Sequence, residues 1–293
     1  MSRLNGSTHL LILDFDGTMT DAEVEGRPFR LGYLEDLATL TGLSIEEVHR
    51  LAERFDAEVA AHQEAYGWMY GGHIVAPASV DPYLRIMPVA RKILDYAGAV
   101  PSEQDRSRLL DGIFYKYNYQ KTVVAFRPGA RAFLETVGKT DGLETYVVTN
   151  SHTEPVAHKL ELLGANPDGS NSLDWLRARV HGRARKYVVD ETFDQVPERM
   201  ALPGLSRPVL LRRPHYAQVI QQLCLQHQVQ IQNVAVVGDI FELDLALPLF
   251  LGARAVLLSN AHTPGYEKAF VSNHPRAFLA DSLERVAAFL EVT

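Results

Sequence analysis

Cysteine is nearly absent from this chain of 293 residues, which contains a single copy, Cys224. One cysteine cannot form an intramolecular disulfide, and its place in an apolar-periodic run predicts a small buried side chain. The sequence also lacks any hydrophobic run approaching the ~18 residues that a membrane-spanning helix needs. Its first residues contain no long apolar stretch of the kind found in signal peptides. We therefore expect a cytoplasmic location and no membrane partner.

Positive charge is scarce as well. The 29 lysines and arginines face 36 acidic residues, which gives a formal net charge of −7. A chain without a general excess of basic residues has no field to hold a nucleic acid or an anionic membrane, so we expect neither as a partner. A small anionic substrate is compatible with this charge if a metal ion or a local cation offsets it.

Short apolar runs alternate with helical patterns along most of the chain. The runs that are typical of buried strands lie at 9–14, 145–149, 234–238 and 255–258, with a weaker fifth at 187–189. The helical patterns lie at 129–138, 154–163, 214–227 and 243–251. This alternation predicts an α/β fold with a doubly wound parallel sheet. Ligands of such sheets bind beyond the carboxyl ends of the strands, so the residues that follow each strand are the candidates for a site.

The stretch from about residue 24 to residue 124 interrupts the alternation. Its patterns are helical at 44–66, 81–96 and 101–117, with a loop rich in glycine and aromatic residues at 67–73. We therefore predict two domains. Residues 1–22 and 125–293 form an α/β core that carries the whole candidate site, and residues 23–124 form an inserted helical domain.

Two carboxylates lie at the end of the first strand run, in the sequence Asp14-Phe15-Asp16-Gly17-Thr18. Alternation of side chains beyond the strand directs Asp14 and Asp16 into one pocket, where they repel each other unless a cation is present. Mg²⁺ is suited to that role because it prefers carboxylate oxygens and water as ligands. One carboxylate can then attack phosphorus, while the other moves protons to and from the reacting oxygens.

A polar pair follows the second strand run. The hydroxyl of Thr149 and the backbone N–H groups after it can bind phosphoryl oxygens near a helix start, and Asn150 lies beside them. Taken alone this signal is weak, because Thr and Asn are also common helix caps.

A cation stands at the head of the helical pattern at 214–227. Arg213 precedes Pro214 there, and its charge can neutralise both a phosphate and a nucleophilic carboxylate. Arg212 is a direct rival for the role, and Arg185 and Lys186 are more distant rivals.

A second group of acids follows the strand run at 234–238. Asp239 lies at the strand end, where we expect it to bind the metal ion directly. Asp244 or Glu242 on the next turn would bind the ion through water or orient neighbouring ligands. The order of these elements along one sheet is more informative than any one of them. An acid pair, a hydroxyl, a cation and a second acid pair are the parts of a phosphoryl-transfer site.

These residues resemble the haloacid dehalogenase superfamily of hydrolases. Asp14 to Thr18 resemble its first motif, Thr149 the second, Arg213 the third, and Gly238 to Asp244 the fourth. The resemblance implies a Rossmann-like core with an inserted helical cap domain of the type called C1. It also implies a magnesium-dependent phosphatase that acts on a small phosphorylated molecule.

The resemblance assigns a role to each site residue. Asp14 would be the nucleophile that forms an aspartyl phosphate, and Asp16 would be the general acid and base. Thr149 and Arg213 would complete the catalytic set, and both would bind phosphate together with Asn150. Magnesium would be held by Asp14, by Asp16 through its carbonyl, and by Asp239, with Asp244 completing the set.

Two features depart from the family pattern. The third motif is more often a lysine, and residues 164–212 are longer than the usual connection, so an extra lobe there would contact the substrate. The superfamily also contains phosphomutases and phosphonatases, and a non-catalytic binding protein on the same fold is a further alternative. Dehalogenation, which uses no metal, is disfavoured because it would not need Asp16.

Overall fold

The computed structural model describes residues 8–118 and 123–292. The described chain divides into two compact units. One is built from residues 8–20, 69–76 and 126–292, and the other from residues 21–68, 77–118 and 123–125. Across the part of the chain that is described, no helix is long and apolar enough to cross a membrane.

Ten strands and eleven α-helices are the main elements of the described chain. In chain order the strands are β1 (Leu10–Leu13), β2 (Gly67–Tyr70), β3 (His73–Pro77), β4 (Glu144–Val148), β5 (Val180–His181), β6 (Arg199–Met200), β7 (Val209–Leu210), β8 (Val234–Gly238), β9 (Arg254–Leu258) and β10 (Ala277–Ala280). The helices are α1 (Ala22–Thr41), α2 (Ile45–Ala61), α3 (Pro82–Ala97), α4 (Glu103–Asn118), α5 (Ala130–Lys139), α6 (Thr153–Gly164), α7 (Asp174–Arg177), α8 (Pro214–His227), α9 (Ala246–Leu251), α10 (Gly265–Asn273) and α11 (Leu283–Leu290).

A six-stranded parallel sheet forms the centre of the first unit, in the order β10-β9-β8-β1-β4-β5. The prediction of an α/β, doubly wound sheet is therefore confirmed. β1 lies between β4 and β8, with Leu13 opposite Val147 on one side and Val237 on the other. The register makes these three strands end at the same edge of the sheet.

Helices cover both faces of this sheet, which is why its central strands are apolar throughout. Along β1, Leu10 and Ile12 pack into the core on one face, and Leu11 and Leu13 into the core on the other. Residues of α8, α9 and α10 complete the first core, and residues of α5, α6 and α11 complete the second. Cys224 is half-buried against the first core, close to the buried position that its pattern predicts.

The four strong strand runs of the sequence correspond to β1, β4, β8 and β9, but the weak fifth run is not a strand. Lys186 and Tyr187 form a turn, which is closed by a hydrogen bond from the backbone N–H of Val188 to the carbonyl oxygen of Arg185 at 2.9 Å, and residues 188 and 189 are irregular. The strand beside β4 is β5, whose two residues pair Val180 with Val147. A strand of two residues is too short to give a recognisable pattern in the sequence.

The second unit is helical, and α1 to α4 share one apolar core. Two of its helices begin where the sequence predicts. The hydroxyl of Ser44 accepts from the backbone N–H of Glu47 at the start of α2, and Asp81 caps α3, which opens with Pro82. Helix α1 has no counterpart in the sequence prediction, because its glycines and an internal proline obscure the helical pattern.

The predicted loop at 67–73 is wrong, because these residues belong to a hairpin of β2 and β3. Gly71 and Gly72 form its turn with φ angles of 57° and 81°, which glycine adopts without strain. Residues 69–76 of this hairpin group with the sheet-containing unit, although the sequence assigns them to the inserted domain.

Candidate active site

The candidate site lies where β4, β1 and β8 end side by side. Asp14 follows β1 directly, Thr149 follows β4 and Asp239 follows β8. The shared register of these strands brings together residues that are far apart in the sequence. All three side chains are buried, so their polar atoms need partners within the protein or in a ligand.

Both carboxylate oxygens of Asp14 accept hydrogen bonds. Lys186 Nζ donates to Oδ1 at 2.7 Å, and Thr18 Oγ1 donates to Oδ2 at 3.0 Å. Burial raises the pKa of Asp14 to about 7, with Lys186 opposing this shift and Asp244 adding to it. The ionised carboxylate therefore depends on the cations around it.

Asp16 lies at the same strand end but faces a different set of partners. Ser151 Oγ donates to its Oδ2 at 2.6 Å, and Lys159 Nζ donates to its Oδ1 at 2.8 Å. Its side chain is one-third exposed. The two carboxylates are thus held apart by separate donors, and Asp16 keeps access to solvent. Lys159, nearly two turns into α6, is a contact that the sequence did not suggest.

Thr149 and Asn150 organise the loop between β4 and α6. The backbone N–H of Ser151 donates to Thr149 Oγ1 at 3.1 Å. The side-chain oxygen of Asn150 accepts from the backbone N–H of Lys186 at 2.7 Å. This bond fixes the main chain at the residue whose side chain reaches Asp14.

Lys186 supplies the cation of the site. Its Nζ donates to Asp14 Oδ1 at 2.7 Å and to Asp244 Oδ1 at 2.8 Å, and its side chain is 1% exposed. Burial works against the ammonium form, but the two carboxylates outweigh it and raise the pKa of Lys186 above its usual value. From the sequence, Lys186 is only a more distant candidate for the cation of the site. Three cations in the run Arg183-Ala184-Arg185-Lys186 gave no sign of which one points inward.

Arg213 does not lie at the carboxylates, contrary to the sequence prediction. It is fully buried, and its guanidinium donates to the backbone carbonyl oxygens of Leu210 at 3.0 Å, Lys186 at 2.5 Å and Val75 at 2.9 Å. Burial lowers the pKa of Arg213 to about 10, so it stays cationic near neutral pH. Each of its three nitrogens donates to the main chain, and one of these bonds holds the backbone of Lys186.

Arg212 does not reach the cluster either. Its guanidinium donates to the carbonyl oxygens of Val196 and Glu191. Arg185, the remaining rival, is exposed. Of the four cations that the sequence considered, Lys186 is therefore the one that contacts the carboxylates.

Asp239 and Asp244 complete the acidic part of the site. Residues Phe241–Leu245 form a π-helical turn, within which Asp244 Oδ2 accepts from the backbone N–H of Ile240 at 3.1 Å. Two glycines leave the room that these acids occupy. A Cβ on Gly17 would lie 2.2 Å from Asp239 Oδ2, and one on Gly238 would lie 2.4 Å from the Cβ of Asp244.

Glu242, the alternative to Asp244 in the sequence, is engaged elsewhere. Its two carboxylate oxygens accept from the guanidinium of Arg207 at 2.6 and 2.8 Å. Asp244 is therefore the acid of this turn that joins the site.

Comparison with known proteins gives matches to solved structures alone. No protein-family model matches the sequence, and no curated protein does. A predicted phosphoglycolate phosphatase from Haemophilus somnus 129PT is similar with a TM-score of 0.52 and 15% identity, over 96% of this chain and 97% of that one. A conserved haloacid dehalogenase-like protein of unknown function from Agrobacterium tumefaciens C58 gives 0.51 and 12%, over 97% and 98%. YfnB from Bacillus subtilis, proposed to be a hydrolase of this type and solved bound to magnesium, gives 0.52 and 12%, over 98% and 100%.

The chain has the fold of the haloacid dehalogenase-like hydrolases. Within this haloacid dehalogenase-like fold, the described residues include one group of acids that is suited to a metal ion, formed by Asp14, Asp239 and Asp244. One oxygen from each lies within 4.8 Å of the others, and all three side chains are buried. Carboxylate oxygens are the ligands that Mg²⁺ prefers, so this donor set fits the ion. The carboxylate of Asp16 is bound by Ser151 and Lys159, and a contribution through its carbonyl stays a prediction.

Proposed function

We propose that this protein is a magnesium-dependent phosphohydrolase that acts on a small phosphate monoester. The observation that carries the proposal is the buried group of Asp14, Asp239 and Asp244, with Lys186 bonded to two of its members. A nucleophile, metal ligands and a fixed cation at one strand edge are what phosphoryl transfer requires. The haloacid dehalogenase-like fold is consistent with a hydrolase.

The charge of the cluster supports a divalent ion. Asp14, Asp239 and Asp244 carry three negative charges when ionised, and Lys186 offsets one of them. The two charges that remain match Mg²⁺, and burial makes such a match necessary. When bound, the ion lowers the repulsion between the carboxylates and the phosphoryl oxygens.

In the first step of the proposed reaction, a carboxylate oxygen of Asp14 attacks phosphorus. A bond forms between Asp14 and phosphorus, and the bond from phosphorus to the leaving oxygen breaks. Asp16, in its protonated form, gives its proton to that oxygen, so the alcohol leaves neutral. Lys186 and the hydroxyl of Thr149 would donate to the phosphoryl oxygens.

In the second step, water releases the phosphate. Asp16 is now a carboxylate and takes a proton from the water molecule, whose oxygen attacks phosphorus. The bond between phosphorus and Asp14 breaks, which restores the nucleophile. Ser151 and Lys159 hold Asp16 in one position through both steps.

Other reactions of this fold are less well supported. A phosphonatase needs a lysine that is free to form a Schiff base, and Lys92 and Lys116 are each paired with a carboxylate. Lys121, the third lysine of the inserted stretch, lies outside the described residues. Dehalogenation would leave Asp16 without a role. Neither a phosphomutase nor a non-catalytic binding protein would hydrolyse an ester with net release of phosphate, so hydrolysis distinguishes the proposal from both.

The test is the hydrolysis of p-nitrophenyl phosphate with Mg²⁺ and with a chelator. We expect release that needs Mg²⁺ and that falls by about a thousandfold or more in Asp14→Asn, because the nucleophile is lost. Asp141→Asn, which makes the same change at an exposed position, is the matched control. Substantial activity in Asp14→Asn, or full activity with the chelator, would contradict the proposal.

A further inference from the structure

A cavity of about 240 Å³ opens beside the candidate active site. It is lined by Asn150, His152, Arg183, Arg185 and Tyr187. Asn150 connects it to the site, since its side chain holds the backbone of Lys186. The contacts from the cavity to Asp14 therefore run through Asn150 and Lys186, and the volume of the cavity suits a small polar group.

No carboxylate of the described residues neutralises the two arginines of the cavity. Both are exposed, and among the described residues neither forms an ion pair with a carboxylate. Arg183 donates to His152 Nδ1 at 3.0 Å, which orients its guanidinium without cancelling its charge. In a chain with a net charge of −7, two such cations on one small cavity form a local anion-attracting surface.

The backbone keeps both arginines on the cavity side. Ala184 and Lys186 are buried, whereas Arg183 and Arg185, which alternate with them, are exposed. The segment is bonded to the loop after β4, through N–H groups of Arg183 to Ser151 at 2.7 Å and of Ala184 to Thr149 at 2.9 Å.

Arg183 and Arg185 also adopt positive φ angles, of 54° and 48°. In the same unit, Gln228 and Glu291 share this conformation, and both end a helix, where it is common. Neither arginine ends a helix. Strained positions of this kind cluster at ligand-binding segments, where neighbouring bonds enforce them.

We infer that this cavity binds a second anionic group of the substrate. The inference rests on the proposed function and narrows it to phosphate monoesters that carry a carboxylate or another phosphate near the ester. Guanidinium groups bind both kinds of anion through paired N–H donors. Asn150 adds a polar wall between this subsite and the phosphate that reacts.

The experiment compares two ligands that differ by one charge. Phosphoglycerate and glycerol phosphate are each phosphorylated at a terminal carbon. At the other end, the first carries a carboxylate and the second a hydroxymethyl group. Their dissociation constants are measured by calorimetry with Mg²⁺ in Asp14→Asn protein, so that turnover is not required. A hexose bisphosphate and the matching monophosphate form a second pair, which tells a carboxylate from a phosphate.

Two double variants are made in the same background. Arg183→Gln with Arg185→Gln removes both cations while keeping the side-chain length. Arg276→Gln with Arg285→Gln makes the same charge change at the opposite edge of the sheet, beside β10. Circular dichroism verifies that each variant is folded.

We expect the background protein to prefer the doubly anionic member of at least one pair by about tenfold or more, as charge-assisted hydrogen bonds provide. The first double variant loses this preference, and the second keeps it. If no pair shows a preference, or if both double variants retain it, the inference is overturned. If the preference behaves as expected but the wild type hydrolyses no ester, the subsite stands and the proposed function fails.

Discussion

Two cations, Lys186 and Arg213, divide between them the role that the sequence predicts for Arg213 alone. Lys186 neutralises carboxylates, and Arg213 satisfies carbonyl oxygens, including that of Lys186. Neither charge tolerates burial without such partners. Lys186, which contacts the nucleophile Asp14, lies in a segment with little regular structure. The guanidinium of Arg213 holds the backbone of that segment, as the hydrogen bonds of a sheet would do elsewhere.

Replacing Lys186 by glutamine tests this account of the cation. We expect kcat/KM for an aryl phosphate to fall by about a hundredfold or more, because one fixed charge at the phosphoryl group is lost. The free energy of unfolding falls by about 3 kcal/mol without metal, because Asp14 and Asp244 lose their buried partner. Mg²⁺ restores part of that stability. Urea unfolding and steady-state kinetics measure both effects.

Lys139→Gln is the control for this substitution, since Lys139 is exposed on α5. It should leave both quantities near the wild-type values. Equal kcat/KM in the two variants would show that Lys186 has no part in turnover.

At the level of elements, the sequence predicts what local pattern determines. The strands β1, β4, β8 and β9 are apolar runs ending in polar turns, and their order brings Asp14, Thr149 and Asp239 to one edge. The hairpin of β2 and β3 is local, and it was missed because its glycines and aromatic residues are equally typical of a loop. The two-residue strand β5 was missed because it is short and its pairing with β4 depends on distant residues. The position of Arg213 also depends on distant residues. Its acceptor at Val75 is 138 residues away in the chain.

The turn after β8 gives a prediction at this scale. Gly238→Ala would place a Cβ 2.4 Å from the Cβ of Asp244, so the π-helical turn must shift. We expect the free energy of unfolding to fall by about 1–3 kcal/mol, which is the usual effect of overpacking. Activity should also fall, because the shift of the turn displaces Asp244. Thermal unfolding and kinetics provide the measurement.

Gly265→Ala is the matched control, because a Cβ there meets no atom within 4 Å. It should change stability by no more than about 0.5 kcal/mol. Wild-type activity in Gly238→Ala would mean that the position of Asp244 does not matter for turnover.

For the molecule as a whole, one buried acid affects how stability depends on pH. Glu267 on α10 is fully buried, and neither of its oxygens has a well-aligned hydrogen-bond donor. Burial raises its pKa well above 4.5, and the charge of Glu242 adds to the shift, while the backbone N–H of Phe241 and the guanidinium of Arg207 oppose it. The folded protein therefore binds this proton more tightly than the unfolded chain does.

The sign of the pH effect follows from that difference. A raised pKa in the folded state gives stability that is complete below pH 4.5 and is lost as the pH rises through the folded value. Glu267→Gln removes this titration. We expect the variant to gain stability relative to the wild type as the pH rises above 4.5, measured by urea unfolding across a pH series.

Glu284→Gln at an exposed position of α11 is the comparison for that experiment. Its stability relative to the wild type should not change across the same range. A Glu267→Gln curve parallel to the wild-type curve would show that Glu267 keeps an ordinary pKa in the folded protein.

The central claim is that Asp14 carries the phosphoryl group during turnover. The most direct measurement is to mix the wild-type enzyme with an aryl phosphate and Mg²⁺, quench it in acid during turnover, and analyse the peptide around Asp14 by mass spectrometry. The account predicts that this peptide gains the mass of one phosphoryl group, that the gain is absent with a chelator, and that it is absent in Asp14→Asn. Turnover with no phosphorylated peptide at any quench time, or a phosphoryl group on another residue, would contradict it.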